Sequence, residues 1–165
     1  RGLIKPWYSL DEEQKAEFPH WYISTFSKLS QNNLNDKYQA MLTMYDMSYL
    51  IGLCEAEYVM LCTILEMLFG IEHKDITKNI VKGTSKLIGK NAKEKRYIRN
   101  QLVKLYDVRS RYVHDGKKIP HENLFQLRDY VRRTLLEILN REYHTFDKSM
   151  EELRDTLLGI FYKKD

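Results

Sequence analysis

Residues 94–116 read EKRYIRNQLVKLYDVRSRYVHDG, and this stretch follows a helical pattern. Its apolar side chains recur at spacings of three and four, which places them along one side of an α-helix: Ile98, Leu102, Leu105 and Val108. Gly116 follows this pattern directly, and glycine is common just after the last turn of a helix. We therefore predict a helix from about Glu94 to His114 with a buried apolar stripe.

The rest of the chain predicts further helices and no strands. Apolar residues at helical spacing predict helices over about 10–30, 36–69, 76–88, 121–143 and 150–161. We expect Pro19 to bend or break the first helix and Gly52 to kink or divide the second. The predicted fold class is all-α, a helical bundle of four to five main helices in one domain that spans residues 1–165.

The sequence has no apolar run of 18 residues and no apolar signal-peptide core at its start, so we expect a cytoplasmic protein without a membrane anchor. Cys54 and Cys62 lie eight residues apart in one apolar helical stretch, where we expect reduced core thiols. The first residue is Arg1 rather than methionine, which is compatible with a fragment of a longer protein.

Positive charge is concentrated in the middle of the chain. Residues 76–118 carry 13 Lys and Arg against 3 Asp and Glu, a net charge of +10, whereas residues 1–75 carry 6 against 11. Such a segment is expected to bind a polyanion; the alternative is a solvated basic face without a ligand. The candidate phosphate-binding side chains are Lys90, Lys93, Lys95, Arg96 and Arg99.

Arg109 and His114 stand at the end of the predicted helix. A cation that never deprotonates and a side chain that titrates near neutrality are the minimum pair for cleaving a phosphodiester without a metal. Residues five apart on an ideal helix differ by about 140° in direction. The pair therefore converges only if the helix unwinds near 112–114 or if a second copy completes the pocket. The structural alternative is a histidine that stabilises the helix C-terminus through its dipole.

Residues Leu105–Gly116 resemble the signature motif of the HEPN superfamily, an Arg and a His separated by four to six residues. The closer match is the Apea-like HEPN branch, whose motif reads as an apolar residue, Tyr, one or two residues, Arg-Ser-Arg/Lys, two residues, His and Gly. A second element of that branch, Leu-Glu-x-Leu-Phe, is similar to Leu65-Glu66-Met67-Leu68-Phe69. The resemblance covers roughly residues 36–142 of the chain.

The resemblance implies a metal-independent endoribonuclease, often part of phage defence or of a toxin system, in which two copies form one cleft. It identifies Arg109 and His114 as the catalytic pair, with the arginine holding the phosphate and the histidine acting as base. The expected supporting residues are Glu66, Ser110, Arg111 and Tyr112. Glu66 is expected to pair with Arg109 or Arg111, or else to reach solvent. Ser110 departs from the many HEPN motifs that place Asn, Asp or His directly after the arginine.

The expected partners are RNA, a second copy of the chain, and an inhibitory partner or an additional sensor domain. Neither a metal nor a cofactor is expected, because no residues at metal-ligand spacing and no phosphate-binding glycine loop occur in the sequence. Two alternatives to the enzyme remain open. One is a non-catalytic HEPN module that binds RNA or dimerises, and the other is a helical scaffold whose basic face meets nucleic acid.

Overall fold

The computed structural model describes residues 36–71, 75–141 and 147–160, which all belong to one compact unit, Asn35–Asp165. This part of the chain is all-helical, in agreement with the predicted fold class. Its helices are α1 (Asp36–Leu50), α2 (Cys54–Phe69), α3 (Ile76–Ile88), α4 (Ala92–Asp115), α5 (His121–Asn140) and α6 (Asp147–Leu158). The first helix expected from the sequence, over 10–30, lies outside the described residues.

Helix α2 is the centre of the bundle, because it contacts α1, α3, α4, α5 and α6. Its sequence is apolar on nearly all sides, which is typical of a helix surrounded by other helices. Two tyrosines fasten α2 to α4: the Tyr58 hydroxyl donates to the Leu105 carbonyl at 2.8 Å, and the Tyr106 hydroxyl donates to the Cys62 carbonyl at 3.2 Å. The middle of α2 is thereby held beside the carboxyl-terminal half of α4.

A buried ion pair connects α2 to α5. The Nε of Arg128 donates to Oε1 of Glu57 at 2.8 Å, and only 8% of the Glu57 side chain is exposed. The Arg128 guanidinium also lies 4.7 Å from the centre of the Tyr49 ring and 5.5 Å from that of Phe125. Removing one partner of a buried pair costs about 3–5 kcal/mol, so these contacts contribute strongly to the α2–α5 interface.

The breaks between helices follow local sequence signals. Gly52 has a φ of +66°, a conformation that favours glycine, and it separates α1 from α2 within the 36–69 stretch. Helix α3 has the bounds that were expected, although Gly83 lies inside it. Gly83 faces the ring of buried Phe69 so closely that a side chain would overlap it. The glycine therefore permits close packing of α3 against α2.

Among the described helices, none combines the length and the apolar character needed to cross a membrane. Cys54 and Cys62 are both free thiols, and Cys62 is fully buried. Burial raises the pKa of the Cys62 thiol to about 12. Of the two core thiols that were expected, Cys62 lies in the core, whereas Cys54 is only half-buried.

Candidate functional site

The site candidates lie along the last turns of α4, where the helix passes α2. Tyr106 is buried against α2, and Arg109 comes three residues later, on the same side of the helix. On α2, Glu66 follows Cys62 by four residues and so projects in a similar direction. Because Tyr106 bonds to the backbone of Cys62, the side chains of Arg109 and Glu66 are brought together one turn further along.

Arg109 and Glu66 form an ion pair. Nη2 of Arg109 lies 3.1 Å from Oε1 and 3.4 Å from Oε2 of Glu66. The Arg109 side chain is 31% exposed and that of Glu66 is 25% exposed, so the pair lies at the edge of the core. Nε of Arg109 is buried and has no hydrogen-bond partner. The carboxylate thus uses one nitrogen of the guanidinium and leaves other donors free.

His114 lies on a different side of α4. The helix continues unbroken through Asp115, and Gly116 ends it in the left-handed conformation, with its N–H donating to the Tyr112 carbonyl at 3.0 Å. The helix therefore does not unwind near 112–114, one of the two routes to convergence that the sequence left open, because the glycine cap lets the hydrogen bonds run to the last turn. His114 is exposed, and its side chain makes no hydrogen bond or ion pair within the described part of the chain.

Within one chain, the structure does not bring Arg109 and His114 together. Their positions differ by about 140° around a regular helix, with Arg109 facing α2 and His114 facing solvent. Of the two routes to convergence that the sequence leaves open, only a second copy remains. The exposed histidine is accessible to such a copy or to a ligand.

The other residues of the motif do not join the Arg109–Glu66 pair. Arg111 forms an exposed ion pair with Asp107 of its own helix, with Nη2 2.9 Å from Oδ2. Ser110 is exposed and Tyr112 is half-buried. Of the two arginines that could have paired with Glu66, the structure selects Arg109, because only that position faces α2.

The five predicted phosphate-binding residues are spread over several surfaces. Lys93 and Arg96 are exposed on α4, whereas Lys90 lines a small cavity of about 240 Å³ beside Arg133 of α5. Arg99 lines a larger cavity of about 800 Å³ between α3 and α4. Lys95 packs its side chain beside Gly89, near the start of α4. These residues therefore surround the α3–α4 connection and do not form one row.

The larger cavity is also lined by three lysines of α3 that were not among the predicted site residues: Lys78, Lys82 and Lys86. Their spacing of four residues, which places them on one side of a helix, was the available signal. In the described residues, no group of three or more His, Cys, Asp or Glu side chains could hold a metal ion.

Comparison of the chain with protein-family models, with curated proteins and with solved structures found no match.

Proposed function

We propose that this chain is a HEPN-type, metal-independent endoribonuclease whose active site is completed by two copies. The observation that supports it is the ion pair between Glu66 and Arg109. These residues come from the two separate sequence elements that resemble the Apea-like HEPN branch, and they lie 43 positions apart in the chain. Contact between them explains why both elements would belong to one site.

In this proposal, Glu66 positions Arg109 and leaves part of its guanidinium for a phosphate. The Nη donors that Glu66 does not use, unlike the buried Nε, can form charge-assisted hydrogen bonds to non-bridging phosphate oxygens and stabilise the charge of the transition state. His114 takes the proton of the ribose 2′-OH as the 2′-oxygen attacks phosphorus. The bond between phosphorus and the 5′-oxygen breaks, and the histidine of the second copy, in its protonated form, gives its proton to that oxygen. The products are a 2′,3′-cyclic phosphate and a 5′-hydroxyl.

An apolar surface at the α1–α2 junction offers a contact for the second copy. Leu50 is 84% exposed and Leu53 is 64% exposed, and Met47 is exposed nearby on α1. The junction lies against the turn that follows His114, because the Cys54 thiol contacts the Ile119 carbonyl at 3.8 Å. Grouped exposed apolar side chains are typical of interaction sites. A dimer formed here would bring residues of each copy near the carboxyl-terminal end of α4 in the other copy.

The test is cleavage of a single-stranded RNA in the presence of a chelator, with Arg109→Ala and His114→Ala. Because general acid–base catalysis contributes about 10²–10⁴-fold, His114→Ala should lower the rate at least a hundredfold. Matched controls are Arg132→Ala and His121→Ala, which remove the same side-chain types from exposed positions on α5. The equivalent DNA strand, which has no 2′-OH, should remain intact.

Dimerisation is tested separately with Leu53→Asp, measured by sedimentation as well as by cleavage. We expect a monomer with little activity. Cleavage by a monomer, or full activity of His114→Ala, would refute the proposed mechanism.

The second candidate is a non-catalytic module that binds RNA. It is favoured by the opposite directions of Arg109 and His114 within one chain. If the wild-type dimer binds RNA and leaves it intact, and Arg109→Ala weakens that binding, the module replaces the enzyme as the better description.

A further inference from the structure

The larger cavity, between α3 and α4, lies apart from the Arg109–Glu66 pair and has no role in the mechanism proposed above. It has a volume of about 800 Å³, which is within the range of small-molecule sites. Its apolar surface comes from Ile76 and Val81 of α3 and from Val103 of α4. Ile76 is 45% exposed and Val103 is 55% exposed. The packing of the bundle leaves these aliphatic groups uncovered on one surface.

Cations surround this aliphatic surface. Lys78, Lys82 and Lys86 follow one side of α3, and Arg99 faces them from α4. We call these four residues, together with Ile76, Val81 and Val103, the α3–α4 groove.

The groove's positive charge is poorly compensated. The Nζ of Lys82 donates to the Leu158 carbonyl at the end of α6, and Nε of Arg99 donates to the Ser85 hydroxyl at 3.1 Å. Both partners are neutral, and among the described lining residues Asp75, at the start of α3, supplies the one carboxylate. Burial together with the nearby charges of Lys82, Arg99 and Lys95 lowers the pKa of Lys86. An anion placed among these cations would relieve their mutual repulsion.

We propose that the α3–α4 groove binds an anionic amphiphile, a small molecule with one phosphate or carboxylate head group and an aliphatic body. The head group would lie among Lys82, Lys86 and Arg99, and the aliphatic body would cover Val81 and Val103. Charge complementarity selects an anion, and the uncovered aliphatic groups select an apolar tail. Among the described residues that line the cavity, none is aromatic. Single-stranded nucleic acid is held largely by stacking on aromatic rings, so the lining favours the amphiphile over RNA.

Calorimetric titration with decyl phosphate, below its micelle concentration, tests the proposal on the full chain. We expect one molecule bound per chain. Lys86→Glu, which reverses a charge in the groove, and Val103→Asp, which places a carboxylate on its aliphatic surface, should each weaken binding at least tenfold. Both residues are partly or fully exposed, so circular dichroism should show unchanged helix content. The matched control is Lys104→Glu, an exposed residue next to Val103 that does not line the groove.

Three further ligands separate the alternatives. Butyl phosphate should bind at least tenfold more weakly than decyl phosphate, because its apolar tail is shorter. Decyltrimethylammonium should not bind measurably. Equal binding of this cation, or equal binding of decyl phosphate by the wild type and both groove variants, would overturn the proposal. A third outcome would also overturn it: oligouridylate binds, Lys86→Glu weakens that binding, and decyl phosphate does not bind. The groove would then be a surface for RNA.

Discussion

Replacing Glu66 and Arg109 singly and together measures how strongly the two elements of the candidate site are coupled. Nη2 of Arg109 lies 3.1 Å from Oε1 of Glu66, and the two side chains are 31% and 25% exposed. Exposed ion pairs contribute about 0–1 kcal/mol, and buried hydrogen bonds to charged groups contribute about 1.5–3 kcal/mol. The partial exposure of this pair places it between these cases, so we expect a coupling free energy of about 1–2 kcal/mol.

The two single substitutions should have unequal effects on the free energy of unfolding. Glu66→Ala removes the carboxylate and leaves Nη2 of Arg109 without its partner, next to the Nε that is already buried and unpaired. Arg109→Met likewise leaves the Glu66 carboxylate, which is 25% exposed, without its partner, but it removes that buried Nε and keeps an apolar side chain against α2. Leaving a buried donor without a partner costs about 1–3 kcal/mol. Glu66→Ala should therefore destabilise the fold more than Arg109→Met, by about 1 kcal/mol.

The assay is urea unfolding of the wild type, both single variants and the double variant, followed by far-ultraviolet circular dichroism. Because the free energy of unfolding changes by about 1–3 kcal/mol per molar urea, these differences shift the midpoint by several tenths of a molar unit to about 1 M. Additive effects, with a coupling below about 0.3 kcal/mol, would show that the pair does not form in solution. A greater loss with Arg109→Met than with Glu66→Ala would refute the argument from the unpaired Nε.

Two predictions concern the α2 core. Gly83→Ala places a methyl group against the buried ring of Phe69, and the cost of overpacking should exceed the helix-propensity gain of about 1 kcal/mol. We expect a net loss of about 1–2 kcal/mol in urea unfolding, largely recovered when Phe69→Leu is added; a more stable Gly83→Ala protein would contradict the packing. Burial raises the pKa of Cys62 to about 12, so iodoacetamide at neutral pH should modify Cys54 slowly and Cys62 only in urea. Mass spectrometry of peptides checks this, and equal labelling of both thiols in the native protein would count against the burial.

Local sequence signals accounted for most of the helices in the described part. The pattern over 76–88 predicted α3 with its observed bounds, and Gly116 ends α4 one residue beyond the predicted end. The start of α4 is defined by a side chain as well, because Oδ1 of Asn91 accepts from the backbone N–H of Glu94 at 2.9 Å. These features depend on residues only a few positions apart, although the pattern predicted a start at about Glu94 rather than Ala92 and the cap at Asn91 was not predicted.

The site was less accessible to sequence reasoning. The positions of Arg109 and His114 on a regular helix already indicated that they diverge, but whether the helix stays regular depends on the cap at Gly116. Glu66 had two possible arginine partners. Spacing along the chain could not choose between them, because the choice depends on which side of α4 packs against α2.

The approximate positions of the helices and the concentration of positive charge over 76–118 follow from the order of residues alone, because hydrogen bonds within a helix and its caps span about four residues. Tertiary packing decided which cations pair with a carboxylate of another helix and which line the α3–α4 groove. It paired Arg109 with Glu66, buried Arg128 against Glu57 and aligned the lysines of α3 with Arg99 across the α3–α4 groove. Each of these contacts joins different helices, and its geometry is set by how those helices pack around α2.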